Sequence, residues 1–369
     1  MNDFVKLAVP GVQALQPYQP GKPIAELERE YGLSSIIKLA SNENPLGASP
    51  RVVDVLQSNL EELTLYPDGN GFELKQALAA KYTNISSDNI TLGNGSNDVL
   101  EIIARAFVNK TDSVIYSEYA FAVYPIVTQA IGATAIVTPA KDWGHDLTAM
   151  LAAITNNTKL VFIANPNNPT GTWVDTKTLQ QFLESVPDHV IVVLDEAYFE
   201  FASHPEYGVK DYPDGLALLK HFGNLIVTRT FSKAYGLAGL RVGYAVANPQ
   251  ITNILNRVRQ PFNVNALALK AAEVALSDDA YLDASVQLNS EQMTLVTDGL
   301  QALDLPFIPS IGNFVCFKVV DANSCYENLL KEGIIVRPVG NYGMQDYLRV
   351  SVGTSEENKR FLSALEKVI

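Results

Sequence analysis

From about residue 50 to residue 250, short apolar runs rich in β-branched residues alternate with helical patterns, and this alternation narrows the fold more than any other feature of the chain. The runs are SVIYSE, TAIVTP, KLVFIANP, VIVVLDEAY, NLIVTRT and VGYAVAN. Patterns such as NDVLEIIARAF and DTKTLQQFLESV stand between them, with apolar residues at helical spacing. Strands apolar on both faces must be covered on both faces, and a strand–helix–strand succession joins parallel neighbours. The spacing predicts an α/β domain with a mostly parallel central sheet covered by helices.

A chain of 369 residues is too long for one simple core, and its two ends read differently from its middle. Residues 1–45 are rich in proline and glycine and carry one helical pattern, IAELEREYG. They read as an arm with a first helix, packed with a smaller domain. After a long helical stretch ending in QMTLVTDGLQAL, the pattern changes to NFVCFKVV, the helix NSCYENLLKEG, the strands IIVRPV and YLRVSVG, and a closing helix. That succession predicts a smaller α+β domain. The expected division is 1–45 for the arm, 46–255 for the large domain and 256–369 for the small one.

Composition excludes several classes. A formal net charge of −13 argues against nucleic acid as a partner, because phosphate backbones need a basic face. Small anionic substrates remain open, provided local arginines are set against the acidic whole. No apolar segment approaches the roughly 20 residues of a membrane span, and the N-terminus lacks a secretory h-region. The two cysteines, Cys316 and Cys325, form no metal-type spacing with the four histidines, and they read as reduced thiols of a cytoplasmic protein.

In an open parallel sheet, ligands collect where loops leave the carboxyl ends of strands, and four loops bring unusual polar groups to such ends. In LGNGSNDVLEIIARAF, Gly95, Ser96 and Asn97 present backbone N–H groups at the positive end of a helix, either as a phosphate cradle or as an ordinary helix start capped by Ser96 or Asn97. In NPNNPTG, two Asn-Pro steps force extended and turn geometry, so that Asn168 either points its amide into a cleft or sits in a plain loop. Asp195 ends an apolar strand, an expensive place for a carboxylate unless it meets a cation or caps a helix, and Tyr198 follows three residues on. In TRTFSKAYGLAGLRVGY, Lys233 lies among small residues. Either it is a surface lysine in a glycine-bearing loop, or its amine has a depressed pKa and forms a Schiff base, with Ser232 and Arg241 as anion ligands beside it. Gly236, Gly239 and Gly243 do not make a dinucleotide fingerprint. A phosphate cradle, a carboxylate for a ring nitrogen, an amide and a phenol for a phenolic oxygen and a reactive amine together describe one cofactor, pyridoxal 5′-phosphate.

The chain resembles the fold-type I, aspartate-aminotransferase-like enzymes, and within them the histidinol-phosphate aminotransferases. The resemblance runs through PYQPGKP, KLASNENPLG, YPDG, NPNNPTG, LDEAY, FSKAYGLAGLRVGY and VRPVGNYGMQDYLRVSVG, nearly the whole chain. It implies that Lys233 holds the cofactor aldehyde and later carries a proton, that Asp195 pairs with the pyridine nitrogen, and that Tyr198 and Asn168 bond the phenolic oxygen. Ser96, Asn97, Ser232 and Arg241 would hold the phosphate, and Tyr119 would stack on the ring. Tyr66 would reach the phosphate of a neighbouring subunit's cofactor, which implies a homodimer with shared active sites. Arg349 matches the carboxylate-binding arginine. Arg337 would add charge for a substrate phosphate ester, or else is a strand-end surface residue. Tyr18 and Asn44 resemble substrate-side residues.

The implied reaction exchanges amino groups between glutamate and 2-oxoglutarate on one side and histidinol phosphate and imidazole-acetol phosphate on the other, in histidine synthesis. The same scaffold also serves aromatic amino-acid aminotransferases and a threonine-phosphate decarboxylase. A regulator of this fold would need a DNA-binding domain, for which the first 45 residues hold no room.

Overall fold

The computed structural model describes residues 4–18 and 20–369. Its largest sheet has seven strands: β1 Ile90–Gly93, β2 Ser113–Ser117, β3 Thr134–Thr138, β4 Thr158–Ala164, β5 Ile191–Asp195, β6 Leu225–Thr230 and β7 Gly243–Ala247. They stand side by side in the order β1-β7-β6-β5-β4-β2-β3. Neighbours run parallel except at β7, which is antiparallel to both β6 and β1. The sheet is therefore mostly parallel, as the alternation of runs and helices predicts. The strand β1 is not among the expected runs: its four residues merge in sequence with the glycine-rich turn that follows.

Alternation along each strand sends residues to two different cores. On β4, Val161 and Ile163 join the core that holds Val192, Leu194, Leu225 and Val227. Leu160 and Phe162 face the other way, with Val193, Ile226 and the buried side of the helix Ser96–Phe107. Both faces are covered, which is why these strands are apolar throughout rather than alternating.

A second sheet holds four strands, β8 Phe307–Ile308, β9 Phe314–Lys318, β10 Arg337–Pro338 and β11 Tyr347–Ser351, in the order β8-β9-β11-β10. Its core gathers Val315, Phe317, Leu348, Val350 and Phe361. The arm is stitched to this smaller layer: Ile37–Lys38 pairs in parallel with Ile334–Ile335, and Leu39 enters the same core.

The helix Ala266–Leu276 packs by Ala268, Ala271, Ala272 and Ala275 into the larger core. An alanine face allows the close approach of the helices Pro50–Ser58 and Phe72–Lys81 that pack against it. The expected division at 255/256 thus falls ahead of a helix that packs with the large layer. The crossing is made by the helix Asp279–Ala302, whose Val286 meets Tyr198 and Phe314 and whose Val296 and Leu300 enter the smaller core. Among the described residues no helix is long and apolar enough to cross a membrane.

Candidate active site

A cavity of about 180 Å³ opens between the two layers, at the carboxyl ends of the parallel strands. Ser96 and Asn97 reach it beyond β1, Phe121 beyond β2, Asn168 beyond β4, Asp195 and Tyr198 at and beyond β5, and Ser232 and Lys233 beyond β6. Arg241 enters just before β7, Arg337 and Arg349 come from the second sheet, and Tyr18 from the arm. The charged side chains among the lining residues are Lys233, Arg241, Arg337 and Arg349 on one side and Asp195 on the other. A chain of net charge −13 therefore encloses a cationic cavity, which suits anionic ligands.

Asp195 is 4% exposed, and burial pushes its carboxyl upward from the ordinary value. Two donors oppose that. Tyr124 Oη donates to Oδ2 at 2.8 Å and Thr228 Oγ1 donates to Oδ1 at 2.8 Å. Thr228 stands beside Asp195 because the two are register partners across β5 and β6. The Tyr124 ring is fixed by stacking on Phe162, with centroids 4.5 Å apart. Each such bond to a charged acceptor is worth about 1.5–3 kcal/mol, so the pair favours the ionised form.

Lys233 is not a solvated loop lysine. Its Nζ donates to the carbonyl of Ser41 at 3.1 Å, and burial, with Arg349 and Arg241 nearby, brings its pKa down to about 7. An amine in that range is nucleophilic near neutral pH. Tyr198 is pushed up to about 12, chiefly by burial, so its hydroxyl keeps its proton.

The anion cradle is built on glycine. Gly95 is the N-cap of the helix Ser96–Phe107 at φ 83°, with no side chain capping the first turn, so neither Ser96 nor Asn97 serves as N-cap. A Cβ at Gly95 would come within 2.4 Å of Arg241 Nη2. Arg241 itself sits at φ 57°, a conformation strained for any residue but glycine, and its Nη1 donates to the carbonyl of Ala238 at 3.1 Å and to Ser232 Oγ at 3.4 Å. Bare helix N–H groups, a hydroxyl and a guanidinium held this close fit a phosphate.

Arg349 is 5% exposed, and Arg337 is 8% exposed, so it is not a surface residue. Arg349 donates to the carbonyl of Ala40 at 2.7 Å and to Asn168 Oδ1, while its buried Nε has no acceptor among the described residues. The Arg337 guanidinium lies 5.6 Å from the centroid of the Tyr18 ring.

Two residues expected at this chain's own cavity, Tyr119 and Asn44, do not line it. Tyr119 packs on Trp143, with centroids 5.2 Å apart, and Phe121, two residues on, lines the cavity in its place. Asn44 is taken up by the fold: its Nδ2 donates to the carbonyl of Ala234 at 2.8 Å and to Ser285 Oγ at 2.7 Å, and Asn42 faces the cavity instead. Tyr66 is 83% exposed and stacks on Phe262, away from this chain's own cavity. Nothing in the sequence singles out Tyr124 and Thr228, which act through Asp195.

A family model described as aminotransferase class I and II matches residues 34–365. A curated relative, histidinol-phosphate aminotransferase 2 of Pseudomonas fluorescens strain Pf0-1, is 57% identical over 371 residues, spanning 100% of this chain and 99% of its own. Its namesake in Pseudomonas aeruginosa is 56% identical with the same coverage. Among solved structures, histidinol-phosphate aminotransferase of Sinorhizobium meliloti in complex with pyridoxal 5′-phosphate superposes with a TM-score of 0.88 at 29% identity, covering 98% of this chain and 96% of that one. Aspartate aminotransferase of Thermus thermophilus with maleate shares the fold, with a TM-score of 0.82 at 22% identity over 97% of this chain and 98% of that one.

Proposed function

The chain belongs to the class I and II aminotransferases, and from that premise we propose that it exchanges amino groups between glutamate and histidinol phosphate, with 2-oxoglutarate and imidazole-acetol phosphate as the keto partners, in histidine synthesis. The observation that carries this reading is the cationic cavity, lined by Lys233 and three arginines around one buried carboxylate, Asp195.

Pyridoxal 5′-phosphate, when bound, supplies an electron-withdrawing ring that stabilises negative charge at the substrate Cα. The residues present fit it. Ser96, Asn97, Ser232 and Arg241 would hold the phosphate, Phe121 would supply an aromatic face for the ring, and ionised Asp195 would favour a proton on the ring nitrogen. Tyr198 and Asn168 would bond the phenolic oxygen. Lys233 Nζ, whose pKa is brought down to about 7, would take the proton from the substrate Cα and deliver it to the cofactor's C4′. Arg349 binds the carboxylate of the amino donor. Arg337 supplies the second charge that a phosphate ester needs.

A homodimer is part of this proposal. Leu63, Leu65, Tyr66 and Phe72 are all more than half exposed and near one another in sequence, an apolar surface suited to a second copy. Tyr66 would then reach the neighbouring subunit's phosphate site. We place the enzyme in the cytoplasm, in keeping with its two buried free cysteines.

The test is single-turnover absorbance of the pyridoxal phosphate-loaded protein, with histidinol phosphate, phenylalanine and glutamate added separately. Fastest conversion with histidinol phosphate is expected. The aromatic lining of Tyr18, Phe121 and Tyr342 favours phenylalanine as the second reading, and a clear preference for it would replace the first.

A further inference from the structure

Three buried polar side chains from separate parts of the chain meet beside the cavity. Asn42 follows the arm strand and is 1% exposed, Ser351 ends β11 and is 3% exposed, and Tyr198 follows β5 and is 2% exposed. Each lies too deep for bulk water to replace a missing partner.

Their hydrogen bonds have only one consistent direction. The Asn42 backbone N–H, which can only donate, gives to Ser351 Oγ at 2.8 Å. The serine turns its own proton to Asn42 Oδ1, 2.9 Å away. With Oδ1 facing the serine, Nδ2 faces Tyr198 and donates to its Oη at 2.9 Å. A flipped amide would give Ser351 two donors and leave its proton without an acceptor among its described hydrogen bonds. The backbone of Asn42 is pinned as well, at φ 55°, with its carbonyl accepting from Asn313 Nδ2 at 3.1 Å. The Tyr198 ring meets Phe314 edge-on at 5.1 Å, so the hydroxyl cannot swing away.

Because Tyr198 Oη accepts from Asn42, its own proton must point elsewhere, and its open side is the cavity. We propose that Asn42 and Ser351 are positioning residues that fix Tyr198 as a donor into the cavity. The inference rests on the proposed function, in which the group receiving that proton is the phenolic oxygen of pyridoxal phosphate. A donor held there stabilises the oxyanion and lowers the pH midpoint at which the visible band of the bound cofactor titrates.

The experiment is a pH titration of that band in holoenzyme carrying Tyr198→Phe, Asn42→Asp or Ser351→Ala, and in the two double variants that include Tyr198→Phe. Tyr198→Phe raises the midpoint by about one unit. Asn42→Asp presents only acceptors, draws the tyrosine proton away from the cavity and raises the midpoint too. Ser351→Ala frees the amide to flip and raises it less. In the Tyr198→Phe background the Ser351→Ala shift vanishes, and the Asn42→Asp shift shrinks to the effect of its added charge alone. Equal shifts in both backgrounds, or wild-type midpoints in the Asn42→Asp and Ser351→Ala proteins, overturn the inference. Should Asn42→Asp fail to fold, Ser351→Ala alone decides. Wild-type protein that forms no visible band with pyridoxal phosphate overturns the proposed function and this inference together. A normal band that ignores both substitutions overturns the inference only.

Discussion

Arg337 and Arg349 stand directly opposite each other across the ladder of β10 and β11, and both line the cavity. Like charges at facing positions on an antiparallel pair oppose folding. The arrangement makes sense where an anion lies between them, and it separates two kinds of substrate. Arg337→Ala is expected to raise KM for histidinol phosphate by about tenfold to a hundredfold, with a smaller effect on glutamate. Arg349→Ala should impair both half-reactions. Equal losses for the two substrates with Arg337→Ala would remove it from the phosphate subsite.

Lys233→Ala should abolish turnover while leaving the circular dichroism spectrum unchanged. A pH dependence follows from its depressed pKa. In the cofactor-free protein, the unfolded chain keeps the lysine protonated up to its ordinary value near 10.5, whereas the folded chain releases the proton at about 7. Between those values the unfolded state binds more protons, so this group makes stability rise with pH. Lys233→Met removes that slope. Its Tm advantage over wild type should be greatest below pH 7 and fade as the pH climbs toward 10.5.

Tyr124→Phe and Thr228→Val each remove one donor from Asp195. Each should weaken retention of pyridoxal phosphate by about tenfold, measured by equilibrium titration of the stripped protein. The loss should grow as pH falls, since a carboxyl with one donor fewer takes up its proton at higher pH. Unchanged affinity at every pH would show that Asp195 needs no help to stay ionised.

Phe121→Ala should weaken cofactor binding several-fold, up to about tenfold, as expected for a lost aromatic stack. Tyr119→Phe should leave it unaltered. The reverse pattern would return the stacking role to Tyr119.

Tyr66→Ala and Lys233→Ala proteins should each be nearly inactive alone. Unfolded together and refolded as a mixture, they should recover turnover, because a mixed dimer contains one site with both residues intact. A mixture as inactive as its parts, in a preparation shown by sedimentation to be dimeric, would place Tyr66 outside the shared site.

Much of the large layer can be read from the chain, because strands buried on both faces must be apolar throughout and leave an unmistakable pattern. The strand β1 escapes, since ITLG is too short to show a period before its glycine turn. Among site residues, those in strand-end motifs lead straight to the cavity: Asp195 after its apolar run, Lys233 among small residues, Ser96 at a helix start. The errors come where two like residues stand two apart. Tyr119 and Phe121 are both aromatic, and Asn42 and Asn44 are both amides. Backbone turning decides which of each pair faces inward, and Asn42 at φ 55° gives no sign of itself in composition. Tyr124 and Thr228 are invisible for another reason, because their function lies in a pairing across chain segments far apart in sequence.

The position of β1 at the edge of the large sheet, with β7 as its single neighbour, bears on how the protein is made. A ribosome that has just released Gly93 must add roughly 150 further residues, about ten to thirty seconds of synthesis, before Val246 can complete the pairing. Until then the glycine turn and the helix start behind it have no sheet to hold them. The arm waits longer still, since its strand pairs with Ile334–Ile335 near the opposite end of the chain. The nascent protein therefore emerges without its anion cradle, and the cofactor can be captured only once about two thirds of the chain has been made.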